Sequence, residues 1–170
     1  MEGNLYWITG LSGAGKTTIG KLLYEKIKEN KPNIFFLDGD IARWAYNDKS
    51  GYAKEERKDA AYRNSRVCKI IVEQEIDVIC CTVGMFDCVR EWNRKNFSKY
   101  HEIFIDVPME ILIKRDKKGL YSGVKNGKSQ DVVGVDLKLE YPKNPDLKIN
   151  NDGTFSPEHA LELIMVKLTR

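Results

Sequence analysis

Short apolar runs punctuate the chain at Leu5–Thr9, Asn33–Leu37, Asp77–Val83, Ile103–Val107 and Leu147–Ile149. Each is bounded by polar residues, and most are followed by a stretch with helical periodicity. Those stretches are Thr17–Glu29, Lys54–Glu73, Asp87–Phe97, Met109–Arg115 and Pro157–Leu168. Continuous apolar strands alternating with amphipathic helices predict an α/β fold: a five-stranded parallel sheet with helices on both faces. Local signals support the boundaries. Asn30-Lys31-Pro32 closes the first helix. Ser156-Pro157-Glu158 opens the last with a capping hydroxyl, a proline at the first helical position and an acid for the dipole.

One region departs from the alternation. Residues 116–144 have little apolar periodicity and many lysines and glycines. A loop of this length in a compact domain is usually functional or disordered, and a basic, glycine-bearing one suggests a lid over bound phosphates. With no internal repeat or low-complexity tract, the 170 residues are expected to form a single domain, 1–170.

Composition narrows the partners. The formal net charge of +3 does not call for nucleic acid, and it suits a site for several phosphates. No run approaches the roughly 18 apolar residues of a membrane span. Met1-Glu2-Gly3-Asn4 has neither the basic segment nor the apolar stretch of a signal peptide, so a cytoplasmic location is expected. Four cysteines show no C-x-x-C spacing and only two histidines accompany them, which argues against zinc. Cys80 and Cys81, adjacent in an apolar run, are expected to be reduced core residues pointing to opposite faces of a strand.

The chemistry begins directly after the first apolar run. Gly10-Leu11-Ser12-Gly13-Ala14-Gly15-Lys16-Thr17-Thr18 has the G-x-x-x-x-G-K-[ST] spacing of a phosphate-binding P-loop. Its glycines let the backbone form a nest of N–H donors around a polyphosphate. Lys16 supplies a mobile positive charge, and the Thr17 hydroxyl suits Mg²⁺. The following helix turns its positive dipole end toward the same anion. The second strand runs into Leu37-Asp38-Gly39-Asp40, which places two carboxylates beside the P-loop, beyond the carboxyl ends of the strands. A kinase needs one such acid to engage the acceptor hydroxyl, and another can help hold Mg²⁺. Arg43, Arg57, Arg63 and Arg66 carry guanidinium forks suited to phosphate-like groups or to a solvated helix face. Tyr52 can stack on a base or staple a helix start.

Taken together, these residues resemble the adenylyl sulfate kinase family. The resemblance is carried by the P-loop, Asp38-Gly39-Asp40-Ile41-Ala42-Arg43, Gly51-Tyr52, Glu56-Arg57 and Arg115-Asp116-Lys117-Lys118-Gly119-Leu120-Tyr121. It continues through Gly134-Val135-Asp136 and Tyr141-Pro142-Lys143-Asn144-Pro145, covering nearly the whole chain in order. It implies a P-loop nucleoside-kinase-like three-layer sandwich with a lid, and transfer of the γ-phosphoryl group of ATP to a ribose 3′-hydroxyl. It further implies that Asp40 engages that hydroxyl, with Lys16 and Lys118 acting on the phosphates. The P-loop and Arg115 would hold ATP, with Thr17 and Asp38 at the Mg²⁺. Asp38, Arg43, Tyr52, Arg57, Val83, Gly84, Met85, Asp87, Gly119, Leu120 and Val132 would surround a small-molecule nucleotide acceptor. Members are often dimers, so a homodimer is expected on the same ground.

Departures from the family pattern fall in the acceptor site. Where the family usually has Ser-Pro-Phe/Tyr-Arg, this chain has Gly84-Met85-Phe86-Asp87, a reversal of charge at the last position. An asparagine expected three residues after Arg57 is Ala60, and a second base-stacking phenylalanine is Val132. A valine-sided slot fits a smaller base better than a purine sandwich does. Donor-side residues are all present, the pattern of a re-specialised enzyme rather than a decayed one. This resembles the branch of the family that acts on cytidine diphosphoramidate, which makes that compound the expected acceptor and adenylyl sulfate the alternative. Asp87 can accept an N–H bond from a phosphoramidate where an arginine cannot. Two other classes fit less well. A nucleotide switch lacks its Asn-Lys-x-Asp block, since Asn93-Arg94-Lys95-Asn96 is not one. A silent binding module would not need Lys16, Thr17, Asp38, Asp40 and Lys118 together.

Overall fold

Five parallel strands hydrogen-bond in the order β2-β3-β1-β4-β5. They are β1 (Leu5–Thr9), β2 (Ile34–Asp38), β3 (Asp77–Thr82), β4 (Tyr100–Asp106) and β5 (Leu147–Asn150). The structure is a computed structural model that describes residues 2–49, 51, 53–116 and 140–169. The helices described are α1 (Lys16–Lys28), α2 (Gly39–Ala45), α3 (Lys54–Val72), α4 (Asp87–Asn96), α5 (Met109–Arg115) and α6 (Pro157–Leu168). Most of the expected lid, residues 117–139, lies outside the described residues.

Strand alternation divides the interior into two cores, one on each face of the sheet. Tyr6, Ile8, Ile79 and Cys81 face one core, closed by Ile19 and Leu23 of α1, Leu112 of α5 and Ile164 of α6. Leu5, Trp7, Val78 and Cys80 face the other, closed by Ala42 of α2, Ala61, Cys68 and Val72 of α3 and Val89 of α4. Cys80 and Cys81 therefore point to opposite faces as expected, and both are unbridged. Parallel register aligns the carboxyl ends of the strands: Thr9 lies beside Thr82 and Phe104, and Asp38 beside Cys81. That edge is the one place where loops from every strand can converge.

The helix α2 is absent from the sequence expectation, which places no helix between the second strand and Lys54. Seven residues starting at glycine are too few for periodicity to register. Its nucleation is instead carried by Asp38, whose carboxylate Oδ1 accepts the Asp40 N–H at 2.9 Å as an N-cap. The other differences are at boundaries. β4 begins at Tyr100 rather than Ile103, because its polar first residues pair with β1 all the same.

Buried charge is concentrated near the amino edge of the sheet and under α4. Asp77 is 1% exposed and accepts from the Asn4 N–H at 2.6 Å, from Asn4 Nδ2 at 2.9 Å and from Lys31 Nζ at 2.7 Å. Glu102 is 2% exposed between Arg94 Nη2 at 2.7 Å and Arg90 Nε at 3.4 Å. Burial, partly offset by those two guanidiniums, raises the Glu102 pKa. Removing either partner of such a pair leaves an uncompensated buried charge, which typically costs about 3–5 kcal/mol. No helix among the described residues is long and apolar enough to cross a membrane.

His101 gives the fold a pH dependence. Its ring stacks on Tyr6 with centroids 5.1 Å apart, and Nε2 lies 3.3 Å from Asn4 Oδ1. Burial lowers its pKa from 6.5, outweighing the attraction of Asp146 and Asp77. Below that value the unfolded chain binds the proton more readily than the folded one, so stability falls as pH drops through the window. The slope is at most about 1.4 kcal/mol per pH unit. Denaturant unfolding between about pH 8 and about pH 5.5 is expected to show wild type losing more stability than His101→Gln.

Candidate active site

The P-loop leaves β1 at Gly10 and ends at Gly15, the residue that precedes α1. Gly15 has φ 95°, a left-handed conformation, and a Cβ there would lie 2.7 Å from Asn151 Nδ2. The positive φ calls for glycine, and a side chain there would also displace the Asn151 amide. No side chain caps α1, and its first turn holds no acid. Its leading amides and positive dipole end are left to the cleft. Lys16 arches back over the loop and donates to Leu11 O at 2.8 Å.

Asp38 ties the P-loop to α2. Its Oδ2 accepts from the Thr17 hydroxyl at 2.6 Å while Oδ1 caps α2. The carboxylate is 7% exposed, whereas Asp40, the second residue of α2, is exposed to the cleft. A hydroxyl and a carboxylate converging at this distance form an oxygen-only pair that fits Mg²⁺, which takes one or two protein oxygens and fills the rest of its octahedron with phosphate and water. Among the described residues no cluster of three or more histidine, cysteine or acidic side chains offers a site for another metal.

The resulting cleft measures about 230 Å³ and is lined by Ser12, Gly13, Gly15–Thr18, Asp38, Gly39, Asp40 and, from elsewhere, Cys81, Thr82, Val83 and Asp116. Leu11 and Ala14 bury their side chains in the core, at 4% and 0% exposure, and contribute only backbone. The Cys81 thiol lies beneath Lys16, donating to its carbonyl at 3.4 Å. Burial pushes that thiol up to about 12, so it is neutral and inert at physiological pH.

The remaining sequence-derived candidates lie outside this lining. Arg43 Nη2 donates to Gly51 O at 2.9 Å, bracing the loop between α2 and α3. Arg57 is half-buried in the first turn of α3. Gly84 packs so closely on Trp7 that a Cβ would lie 2.7 Å from the indole. Met85 is 4% exposed, in the core. Asp87 opens α4, pairs with Arg90 through Oδ1, and has Lys143 Nζ 4.0 Å from Oδ2. Tyr52, Lys118, Gly119, Leu120 and Val132 lie outside the described residues.

Arg115 reaches the P-loop backbone: its Nη2 donates to Asn151 O at 3.0 Å and Nη1 to Gly13 O at 3.5 Å. Asn151 is the residue that sequence reasoning missed. Its Nδ2 donates to Ala14 O at 2.7 Å, and its own N–H donates to Asp106 O at 2.8 Å. Engaging the Ala14 and Gly13 carbonyls helps leave the loop's N–H groups available to the cleft. The position just past the last strand was the available signal, since ligands gather beyond the carboxyl ends of parallel strands.

Comparison with known proteins places this geometry. Residues 2–150 match the family model of adenylylsulphate kinase. The chain is 41% identical over 170 residues to a cytidine diphosphoramidate kinase of Campylobacter jejuni, covering 99% of each chain. It is 33% identical over 163 residues to an adenylyl-sulfate kinase of Halothermothrix orenii, covering 96% of this chain and 88% of that one. It superposes with a TM-score of 0.90 and 26% identity on the Mycobacterium tuberculosis APS kinase in complex with AMPPNP and APS, over 99% of both chains.

Asn151→Ala is expected to orphan the buried Ala14 carbonyl. Chemical denaturation should show a loss of about 1–3 kcal/mol, the usual penalty for one unsatisfied buried polar group.

Proposed function

The chain belongs to the adenylylsulphate kinase family and is a phosphotransferase with an alcohol group as acceptor; on that premise we propose that it transfers the γ-phosphoryl group of ATP to the ribose 3′-hydroxyl of cytidine diphosphoramidate. The observation that carries the reading is the convergence of the P-loop and Asp40 on one cleft, with Asp38 bonded to both Thr17 and the Asp40 amide. End-to-end similarity to the Campylobacter jejuni enzyme supports the acceptor. So do Asp87, Ala60 and Val132 at positions where the family pattern differs.

In this mechanism the P-loop amides and the α1 dipole bind the β- and γ-phosphates, and Lys16 exchanges Leu11 O for the outer phosphates. Thr17 and Asp38 hold Mg²⁺, which when bound neutralises charge that develops on the transferring group. Asp40, exposed at the cleft, orients the 3′-hydroxyl for in-line attack and accepts its proton. Arg43 and Arg57 bind the anionic end of the acceptor. Asp87 accepts the phosphoramidate N–H through the oxygen that faces Lys143.

A second reading, phosphorylation of adenylyl sulfate, is favoured by the fold match to a kinase captured with AMPPNP and APS. Purified enzyme with ATP and Mg²⁺ separates the two. The cytidine compound is expected to show kcat/KM higher by about tenfold or more, the discrimination that one well-placed polar contact supplies. Preference for adenylyl sulfate overturns the acceptor assignment. Asp40→Asn is expected to lower kcat by about 10²-fold or more in the same assay, the scale of a positioned general base. A near-normal kcat removes Asp40 from that role.

A further inference from the structure

A carboxylate outside the cleft joins the two helices that bear acceptor candidates. Helix α4 starts after Phe86 with no side-chain cap of its own. Its first amide, Asp87 N–H, donates instead to Glu140 Oε2 at 2.8 Å, from a residue 53 positions later in the chain. The other oxygen, Oε1, lies 3.4 Å from Lys54 Nζ at the first residue of α3. The backbone at Glu140 is held as well. Arg90 Nη2 donates to Glu140 O at 2.7 Å, and the Arg90 guanidinium is itself anchored on buried Glu102. Asp87's amide draws the Glu140 carboxyl below its ordinary range, so it is ionised when it makes these contacts.

We propose that Glu140 is a positioning residue for the acceptor: it links the start of α4, where Asp87 stands, to the start of α3, which leads into Arg57, and so sets the spacing of the acceptor's two anchoring helices. The proposal rests on the acceptor site inferred above. A charged hydrogen bond to a helix N-terminus is the strong kind, and a shift of a fraction of an ångström at an anchoring group weakens binding without touching the P-loop. Glu140 stands 31% exposed beside the core rather than in it, so its loss leaves both hydrophobic clusters intact.

The test uses Glu140→Ala and Glu140→Gln with whichever of the two acceptors wild type phosphorylates. Glu140→Ala is expected to raise the acceptor KM about tenfold, the scale of one lost charge-assisted hydrogen bond, with the ATP KM unchanged. Glu140→Gln keeps an oxygen for the Asp87 amide and is expected to restore most of that loss. Equal changes in both KM values, or none in either, overturn the proposal. Should wild type phosphorylate neither acceptor, the functional reading falls on its own, and amide exchange measured by NMR decides the link. Faster exchange at Asp87 in Glu140→Ala, with the P-loop amides unaltered, supports it; unaltered exchange at Asp87 overturns it.

Discussion

At the carboxyl edge of the sheet, the P-loop and α2 are joined through the two oxygens of Asp38. One accepts from the P-loop hydroxyl of Thr17 and the other from the amide of Asp40. A carboxylate this buried must be satisfied on both sides, and here its partners belong to the two halves of the site. The same bonds start α2, turn Asp40 toward the cleft and bring a hydroxyl and a carboxylate together as a hard-cation pair. The parallel sheet makes this possible. β2 is an edge strand, but it pairs in register with β3, so its last residue arrives beside the loop that leaves β1.

The two faces of the sheet are built differently. The α1–α5–α6 side is apolar beneath the P-loop, which it supports through Ile8, Ile19 and Leu112, and its buried charge, Asp77, lies at the opposite, amino end of the strands. The α3–α4 side carries buried charge: Glu102 with Arg90 and Arg94, alongside Trp7 and Tyr100. Such pairs stabilise little relative to apolar packing, because desolvation cancels much of their attraction. They do impose direction. Arg90 and Arg94 both reach the segment after residue 139, donating to the carbonyls of Glu140 and Asn144. The charged face is also the face of the acceptor candidates on α2, α3 and α4, and the apolar face underlies the phosphate loop.

Much of this was legible in the chain itself. The strand–helix alternation, the parallel sheet and the opposite orientations of Cys80 and Cys81 follow from periodicities of two and 3.6 residues, which need only near neighbours. The P-loop was legible because its glycines, lysine and threonine are contiguous, and the pairing of Asp38 and Asp40 because they sit at a strand end. The short helix α2 was not, since seven residues carry too little pattern, and what starts it is a single carboxylate.

The amino-acid sequence by itself determined which elements form, where the phosphate loop lies and which acids accompany it. The tertiary structure alone decided which distant residues hold that loop and set the spacing of the helices. Asn151 meets Ala14 across 137 positions, and Glu140 meets Asp87 across 53. Arg115, which the resemblance implies would hold the nucleotide, also reaches the carbonyls of Gly13 and Asn151. The reason is physical: local pattern reports burial and backbone preference, whereas a bond between remote residues exists only once strand order and register have brought their elements to the same edge.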